Sequence, residues 1–80
     1  MKTVRDVREY LFKEQLEIRL YIDKVDIINY KKIGIIESDK VFVYHSKGLI
    51  KVFGSDLVIT KLYNNEVLIN GKIEKIELGD

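Results

Sequence analysis

The sequence predicts a mainly β domain with one N-terminal helix, built as a small antiparallel meander, roll or barrel. From residue 16 onward, short runs of Val, Ile and Leu are each stopped by Gly or by a cluster of Asn, Asp and Ser, a pattern typical of strands joined by turns. No stretch between these runs is long enough for the helix of a parallel crossover, so we expect antiparallel pairing. The chain contains no Pro, which leaves every backbone N–H free to donate within a sheet.

The length of 80 residues predicts a single β-rich domain over residues 1–80. We expect a helical N-terminal segment in 1–15, followed by a β-sheet module in 16–80. The helix is predicted over Thr3–Glu14, where a capping box of Thr3 and Asp6 satisfies backbone donors at its start. Apolar residues then recur at the spacing of one helix face: Val4, Val7 and Leu11.

The predicted strands are short, and there are seven or eight of them. The first shows a strict alternation of apolar and polar side chains, as expected of a strand with one buried face. The runs are Leu16–Ile22, Val25–Asn29, Ile33–Ile36, Val41–Tyr44, Leu49–Phe53, Leu57–Leu62, Val67–Ile69 and Ile73–Leu78.

Two glycines leave the strand count open. Asn70-Gly71 lies between apolar runs and is a strong hairpin signal. The residues after it do not alternate cleanly, so Gly71 could instead mark a bulge within one longer, bent strand. Gly54 poses the same question after Leu49–Phe53.

The strands from Val41 onward are apolar on both faces. An open antiparallel sheet with one wet face would carry polar residues on one side, so the second face needs a cover. The N-terminal helix, another part of the sheet or a second molecule could supply it, and a sheet folded over on itself is favoured. Alternate positions along these strands form a mainly aliphatic set whose side chains share one face. From this set we expect five core residues: Val43, Val52, Leu57, Ile59 and Ile69.

The remaining positions, whose side chains point to the opposite face, include the aromatic residues Phe42, Tyr44 and Phe53. We propose these three residues as a candidate interaction surface. Aromatic side chains suit interface cores, because they bury a large area with few rotatable bonds. A short sheet also has unpaired edge strands. We therefore expect a homo-oligomer, or a protein partner that covers this surface.

Composition excludes several classes of function. The net charge of +1 and the absence of Cys provide neither a strong field for nucleic acid or anionic lipid nor disulfide or thiolate metal sites. The charged N-terminus does not fit a signal peptide, and no apolar run approaches the length of a membrane span. We expect a soluble intracellular protein.

The residues that commonly carry catalysis are sparse. His45 is the only histidine, beside a turn, and Ser38, Ser46 and Ser55 also lie in predicted turns, where they support local hydrogen bonds. We therefore predict no catalytic residues, no cofactor, no metal and no small-molecule substrate.

A small OB-like nucleic-acid-binding module is the main alternative. It is suggested by basic residues near aromatic residues, a pattern found in single-strand-binding barrels. Acidic residues nearly balance the basic ones, which makes a nucleic-acid partner the less favoured interpretation. The residues that carry this alternative are Tyr30-Lys31-Lys32, His45, Lys47, Lys51 and Phe53.

An ordered series of short motifs resembles the YabP/YqfC family of small sporulation proteins from endospore-forming bacteria. The resemblance covers roughly Tyr21–Leu78. In order, the motifs are Asn29 with Lys31 and Lys32, Ser38-Asp39, Gly48, Gly54, Leu57-Val58-Ile59, Glu66 and Gly71-Lys72-Ile73.

This resemblance implies a non-enzymatic structural or adaptor protein made during spore formation, with no catalytic residues to assign. It implies action by self-assembly or by docking to a sporulation membrane protein. The location it implies is cytoplasmic, or peripheral to a membrane of the sporulating cell.

Overall fold

A computed structural model describes residues 15–79 of the chain, and these residues form one antiparallel sheet of six strands. The strand order across the sheet is β1-β2-β6-β5-β4-β3. The predicted helix over Thr3–Glu14 lies outside the described residues. The strands are β1 (Glu17–Leu20), β2 (Lys24–Ile28), β3 (Lys32–Ile36), β4 (Lys40–His45), β5 (Gly48–Leu62) and β6 (Glu66–Gly79).

The mainly β, antiparallel prediction is confirmed, but the prediction of seven or eight short strands is wrong. β5 and β6 are long, with 15 and 14 residues, because Gly54 and Gly71 lie inside strands rather than in turns. Pairing passes through both glycines with shifts of register near Phe53/Gly54 and Ser55/Val58. The second of the two interpretations of Gly71, a bulge in one bent strand, is therefore correct.

The bends divide the sheet into two layers. The first layer contains β1, β2, residues 66–70 of β6 and residues 57–62 of β5. The second contains β3, β4, residues 48–53 of β5 and residues 72–79 of β6. Each long strand thus begins in one layer and ends in the other.

Close backbone contact at the bend requires glycine. A Cβ built on Gly54 would lie 1.9 Å from the carbonyl oxygen of Lys72, and one on Gly71 would lie 2.7 Å from that of Asp56. Gly71 and Asp56 also adopt positive φ angles of 141° and 55°, and for Gly71 the missing Cβ removes the steric cost of this conformation. The bend is therefore encoded by the glycines that interrupt the apolar runs.

The connection between β2 and β3 shows why the sheet must curl. β6, β5 and β4 separate these two strands in the sheet order, which would place them about 19 Å apart if the sheet were flat. The chain from Ile28 to Lys32 can span only about 14 Å. Asn29 turns the chain there with φ 71°, and its side-chain Nδ2 donates to the carbonyl oxygen of Gln15 at 2.5 Å.

The core lies between the layers and is aliphatic. Four of the five expected core residues are buried, whereas Ile59 is only partly buried and packs against the core cluster. The buried residues come from β2, β4, β5 and β6, so both layers contribute. They are Val25, Ile27, Val41, Val43, Ile50, Val52, Leu57, Val67 and Ile69.

The sheet therefore folds over on itself, as expected, but the face that it covers is the one with the aliphatic side chains and not the one with the aromatic side chains. The five-residue step from Val52 to Leu57 shifts the alternation by one, which keeps aliphatic side chains inward on both sides of the bend.

The order of the strands also differs from the five-stranded Greek-key barrel of an OB fold. Among residues 15–79, we find no helix long and apolar enough to cross a membrane.

Candidate interaction faces

The three aromatic residues of the predicted interaction surface lie together on the outer face of the second layer. Cross-strand pairing of Phe42 with Lys51, and of Lys40 with Phe53, places Phe42 and Phe53 diagonally on neighbouring strands. Their ring centroids are 6.0 Å apart and the rings are inclined at 76°, the edge-to-face arrangement that aromatic pairs favour. Phe42 and Phe53 are therefore packed together outside the core.

Tyr44 extends this patch toward the edge of the sheet. It points to the same face as Phe42, two residues along β4, and remains 40% exposed. A Cβ built on Gly34 of β3 would lie 2.9 Å from its Cε2 atom. The ring of Tyr44 thus covers a position of β3 that has no side chain.

A lysine ammonium lies over each of these rings. The distances from Nζ to the ring centroid are 5.1 Å for Lys32 over Tyr44, 5.6 Å for Lys51 over Phe42 and 5.0 Å for Lys75 over Phe53. All are within the range of a cation–π attraction. We call this surface the aromatic–lysine face, defined by Lys32, Phe42, Tyr44, Lys51, Phe53 and Lys75.

The three rings of this face were predicted from the sequence, but the full set of lysines over them was not. Lys32 and Lys51 were proposed only for nucleic-acid binding, and Lys75 was not proposed. Lys75 comes from β6, more than twenty residues after Phe53, so only the register of β5 with β6 reveals the contact. The role of Phe42, Tyr44 and Phe53 as an interaction surface stays a prediction.

Tyr30 and His45, which were also proposed for nucleic-acid binding, make contacts elsewhere. Tyr30 packs against the core, and its hydroxyl donates to the carbonyl oxygen of Tyr63 at 2.6 Å. His45 accepts a hydrogen bond at Nδ1 from the backbone N–H of Lys47, at 3.2 Å. These contacts stabilise the ends of the sheet.

The outer face of the first layer is different in chemistry and was not predicted. Asp26 is only 9% exposed, and one of its carboxylate oxygens, Oδ1, has no hydrogen-bond partner within residues 15–79. It lies across from Arg19 in the register of β1 with β2. We call the group Glu17, Arg19, Asp26 and Glu66 the carboxylate face.

Charges on the carboxylate face act on one another. A hydrogen bond with Asp26 raises the pKa of Glu66, and desolvation and the negative charge of Asp26 add to this effect. Arg19 donates from Nε to Glu17 at 2.7 Å, and this hydrogen bond raises the pKa of Arg19. The guanidinium is thus paired with Glu17, while the carboxyl group of Glu66 lies against that of Asp26.

The serines proposed as turn residues have local roles where the structure shows their contacts. Ser55 lies inside β5, not in a turn, and its hydroxyl donates to Glu74 at 3.2 Å. The carbonyl oxygen of Ser38 accepts from the backbone N–H of Leu57 at 2.8 Å. Within residues 15–79, no three His, Cys, Asp or Glu side chains come together as a metal site.

Comparison with known proteins gives one match. A sequence model of the YabP family matches residues 13–80, which is most of the chain and extends past the region of resemblance at both ends. No curated protein and no solved structure matches the chain.

Proposed function

The chain belongs to the YabP family, and we propose that it is a small sporulation-associated protein that acts without catalysis. In this proposal it is an adaptor that binds a partner protein on the aromatic–lysine face. The partner suggested by the family resemblance is a membrane protein of the sporulating cell. The adaptor would then be cytoplasmic and peripheral to that membrane.

The observation that carries the proposal is the composition of the aromatic–lysine face. Half-buried Phe42 and Phe53 contact each other, exposed Tyr44 lies on the same face of β4, and a lysine lies over each ring. Exposed apolar area rimmed by polar residues marks interaction sites. Aromatic residues are enriched at the centres of protein interfaces. The core is already complete without these rings, so folding alone does not account for their position.

The lysines indicate the chemistry of the partner. Each ammonium lies over a ring, but a cation–π contact leaves its N–H groups able to donate to an anion. Lys75 already contacts a carboxylate in this way, with 3.1 Å between its Nζ and Glu77. A partner segment with Asp or Glu side chains around an apolar centre would therefore complement the face.

A genetic replacement in the sporulating host tests this function. We expect Phe53→Glu to reduce spore yield about as much as deletion of the gene, because it puts a negative charge at the centre of the patch. A fluorescent fusion of this variant should also lose its membrane-proximal position. Val58→Glu is the matched control, since Val58 is 56% exposed and lies outside the aromatic–lysine face.

Two results would contradict the proposal in different ways. Normal spore yield after deletion would remove the sporulation role. Full complementation by a stable Phe53→Glu protein would show that the aromatic–lysine face is not the surface used. Circular dichroism and thermal melting of both purified variants establish that each one folds.

Nucleic-acid binding is the second candidate, because lysines alternate with aromatic rings on one face. Base stacking needs a free ring face, and an ammonium group already lies over Phe42, Tyr44 and Phe53. We therefore expect no binding of a fluorescent single-stranded oligonucleotide at physiological salt. Tight, salt-dependent binding that Phe53→Ala abolishes would favour this candidate over the adaptor.

A further inference from the structure

The second half of β6 is an open edge in the described part of the chain. The pairing of β2 with β6 ends at Asn70, while β6 continues to Gly79 with β5 on its other side. Among residues 15–79, no strand pairs with the outer side of residues 72–79. Such an edge presents a row of backbone donors and acceptors that can bind another strand.

The side chains along this edge are apolar on one side and charged on the other. Leu78 lies across from Ile50, a fully buried residue, yet Leu78 itself is 65% exposed. Lys75 and Glu77 point to the outer face, where Lys75 pairs with Phe53 and Glu77 with Lys51 in the register of β5 with β6. The edge therefore carries one uncovered apolar residue, Leu78, and two opposite charges spaced two residues apart, while Ile73 and Ile76 pack against the core.

A strand with these features is complementary to itself. Residues directly opposite each other in an antiparallel pair point to the same face of the sheet, and side chains alternate with a period of two. If a two-fold axis perpendicular to the sheet relates two copies, one residue must therefore lie opposite the same residue of the other copy. That residue is the centre of the pair. A centre at Lys75 or Glu77 places like charges opposite each other. A centre at Ile76 places Lys75 of each copy opposite Glu77 of the other.

We propose that the second half of β6 pairs antiparallel with that of a second copy around Ile76, so that Lys75, Ile76 and Glu77 of one chain lie opposite Glu77, Ile76 and Lys75 of the other. Opposite charges directly across an antiparallel pair stabilise it, and like charges destabilise it. The two-fold symmetry makes each favourable contact occur twice. The occupant of this edge is thus a second molecule of the same chain.

The pairing would join the second layers of two molecules into one continuous sheet. Their aromatic–lysine faces would lie side by side on the same surface, because the axis is perpendicular to the sheet. A partner with two binding segments could then bind both copies at once, which increases the overall affinity without new contacts. The pairing itself does not depend on the proposed adaptor function.

Mixing two charge-reversal variants tests the proposal. Lys75→Glu places Glu opposite Glu in a pair of identical chains, and Glu77→Lys places Lys opposite Lys. By sedimentation velocity, we expect each variant alone to show a dissociation constant raised by about tenfold or more. An equimolar mixture should associate as the wild type does, because each chain then meets opposite charges on the other.

The mixture separates this proposal from effects within one chain. Lys75 and Glu77 also contact each other in the same molecule, at 3.1 Å, and mixing cannot restore that contact. Lys61→Glu is the matched control, since Lys61 is an exposed lysine on the half of β5 that lies in the first layer, and it should leave the association unchanged. A monomeric wild type at high concentration, or a mixture that stays dissociated, would overturn the proposal.

Hydrogen exchange of the wild type provides a test that needs no variant. Backbone amides in residues 73–79 should exchange more slowly as protein concentration rises, whereas amides at the other edge of the second layer, β3, should not change. Exchange at residues 73–79 that is independent of concentration would overturn the proposal. This measurement also decides the matter if a charge-reversal variant fails to fold.

Discussion

The two outer faces of this small sheet differ in chemistry although the same two strands contribute to both. On the second layer, Phe42 and Phe53 contact edge-to-face and lysines lie over the rings. On the first layer, a nearly buried Asp26 lies beside Glu66 and raises its pKa. The inner sides of both layers are uniformly aliphatic, so the fold constrains the inside of the bent ribbon and leaves the outside free to vary.

The chemistry of each outer face determines how well it suits the binding of a partner. The aromatic–lysine face combines an apolar area with cations, which favours contact with another macromolecule. The carboxylate face instead holds the carboxyl groups of Asp26 and Glu66 close together, which raises the pKa of Glu66. The first face is therefore the better candidate for binding.

The largest loss of stability is expected from a substitution at the bend, on which both outer faces depend. Gly54→Ala should lower the free energy of unfolding by at least about 3 kcal/mol, because its Cβ would lie 1.9 Å from the carbonyl oxygen of Lys72. Chemical denaturation followed by circular dichroism measures this change. Both outer faces should be lost together.

Gly79→Ala is the control for this prediction. A Cβ built on Gly79 has no atom within 4 Å, so the stability should change by less than about 0.5 kcal/mol. If Gly54→Ala were as stable as Gly79→Ala, close approach of β5 and β6 would not be what maintains the bend.

An intermediate effect is expected from the aromatic pair. A double-mutant cycle with Phe42→Ala and Phe53→Ala should give a coupling energy of about 0.5–1.5 kcal/mol, because the rings contact edge-to-face at 6.0 Å. The same cycle on the carboxylate face, with Glu17→Ala and Arg19→Ala, should give a smaller coupling energy, because that ion pair is exposed to solvent. Equal couplings would remove the energetic distinction between the faces.

The smallest effect is expected from Glu66 and depends on pH. Its pKa is higher in the folded state than its ordinary value, so the folded protein keeps this proton to a higher pH than the unfolded chain does. Stability must therefore fall as pH rises from the ordinary carboxyl pKa through the raised one. Glu66→Gln should remove this loss and be more stable than the wild type at neutral pH.

Denaturation of both proteins from about pH 4 to pH 7 measures the difference. Glu37→Gln is a suitable control, because the Glu37 carboxylate faces Lys40 at 3.8 Å and its removal should not stabilise the protein. A wild type and a Glu66→Gln variant with parallel pH profiles would show that Asp26 does not act on Glu66.

The aromatic candidates could be predicted from the sequence, but the complete face could not. Phe42 and Tyr44 alternate along one strand, and Phe53 follows a short apolar run, so the face that they share was visible. The cation over Phe53 comes from Lys75, and a contact between strands depends on a register that local sequence does not specify. The pair of Asp26 and Glu66 was missed for the same reason.

The mainly β class, the antiparallel pairing and four of the five expected core residues could be predicted from local patterns, because β-branched periodicity and turn residues act over short stretches of chain. Only the folded chain shows that Gly54 and Gly71 bend two long strands rather than end four short ones. Gly54 closely approaches Lys72 and Gly71 closely approaches Asp56, and these contacts join residues that are distant in sequence. That bend turned the aliphatic side chains inward and left Phe42, Tyr44 and Phe53 on the outside.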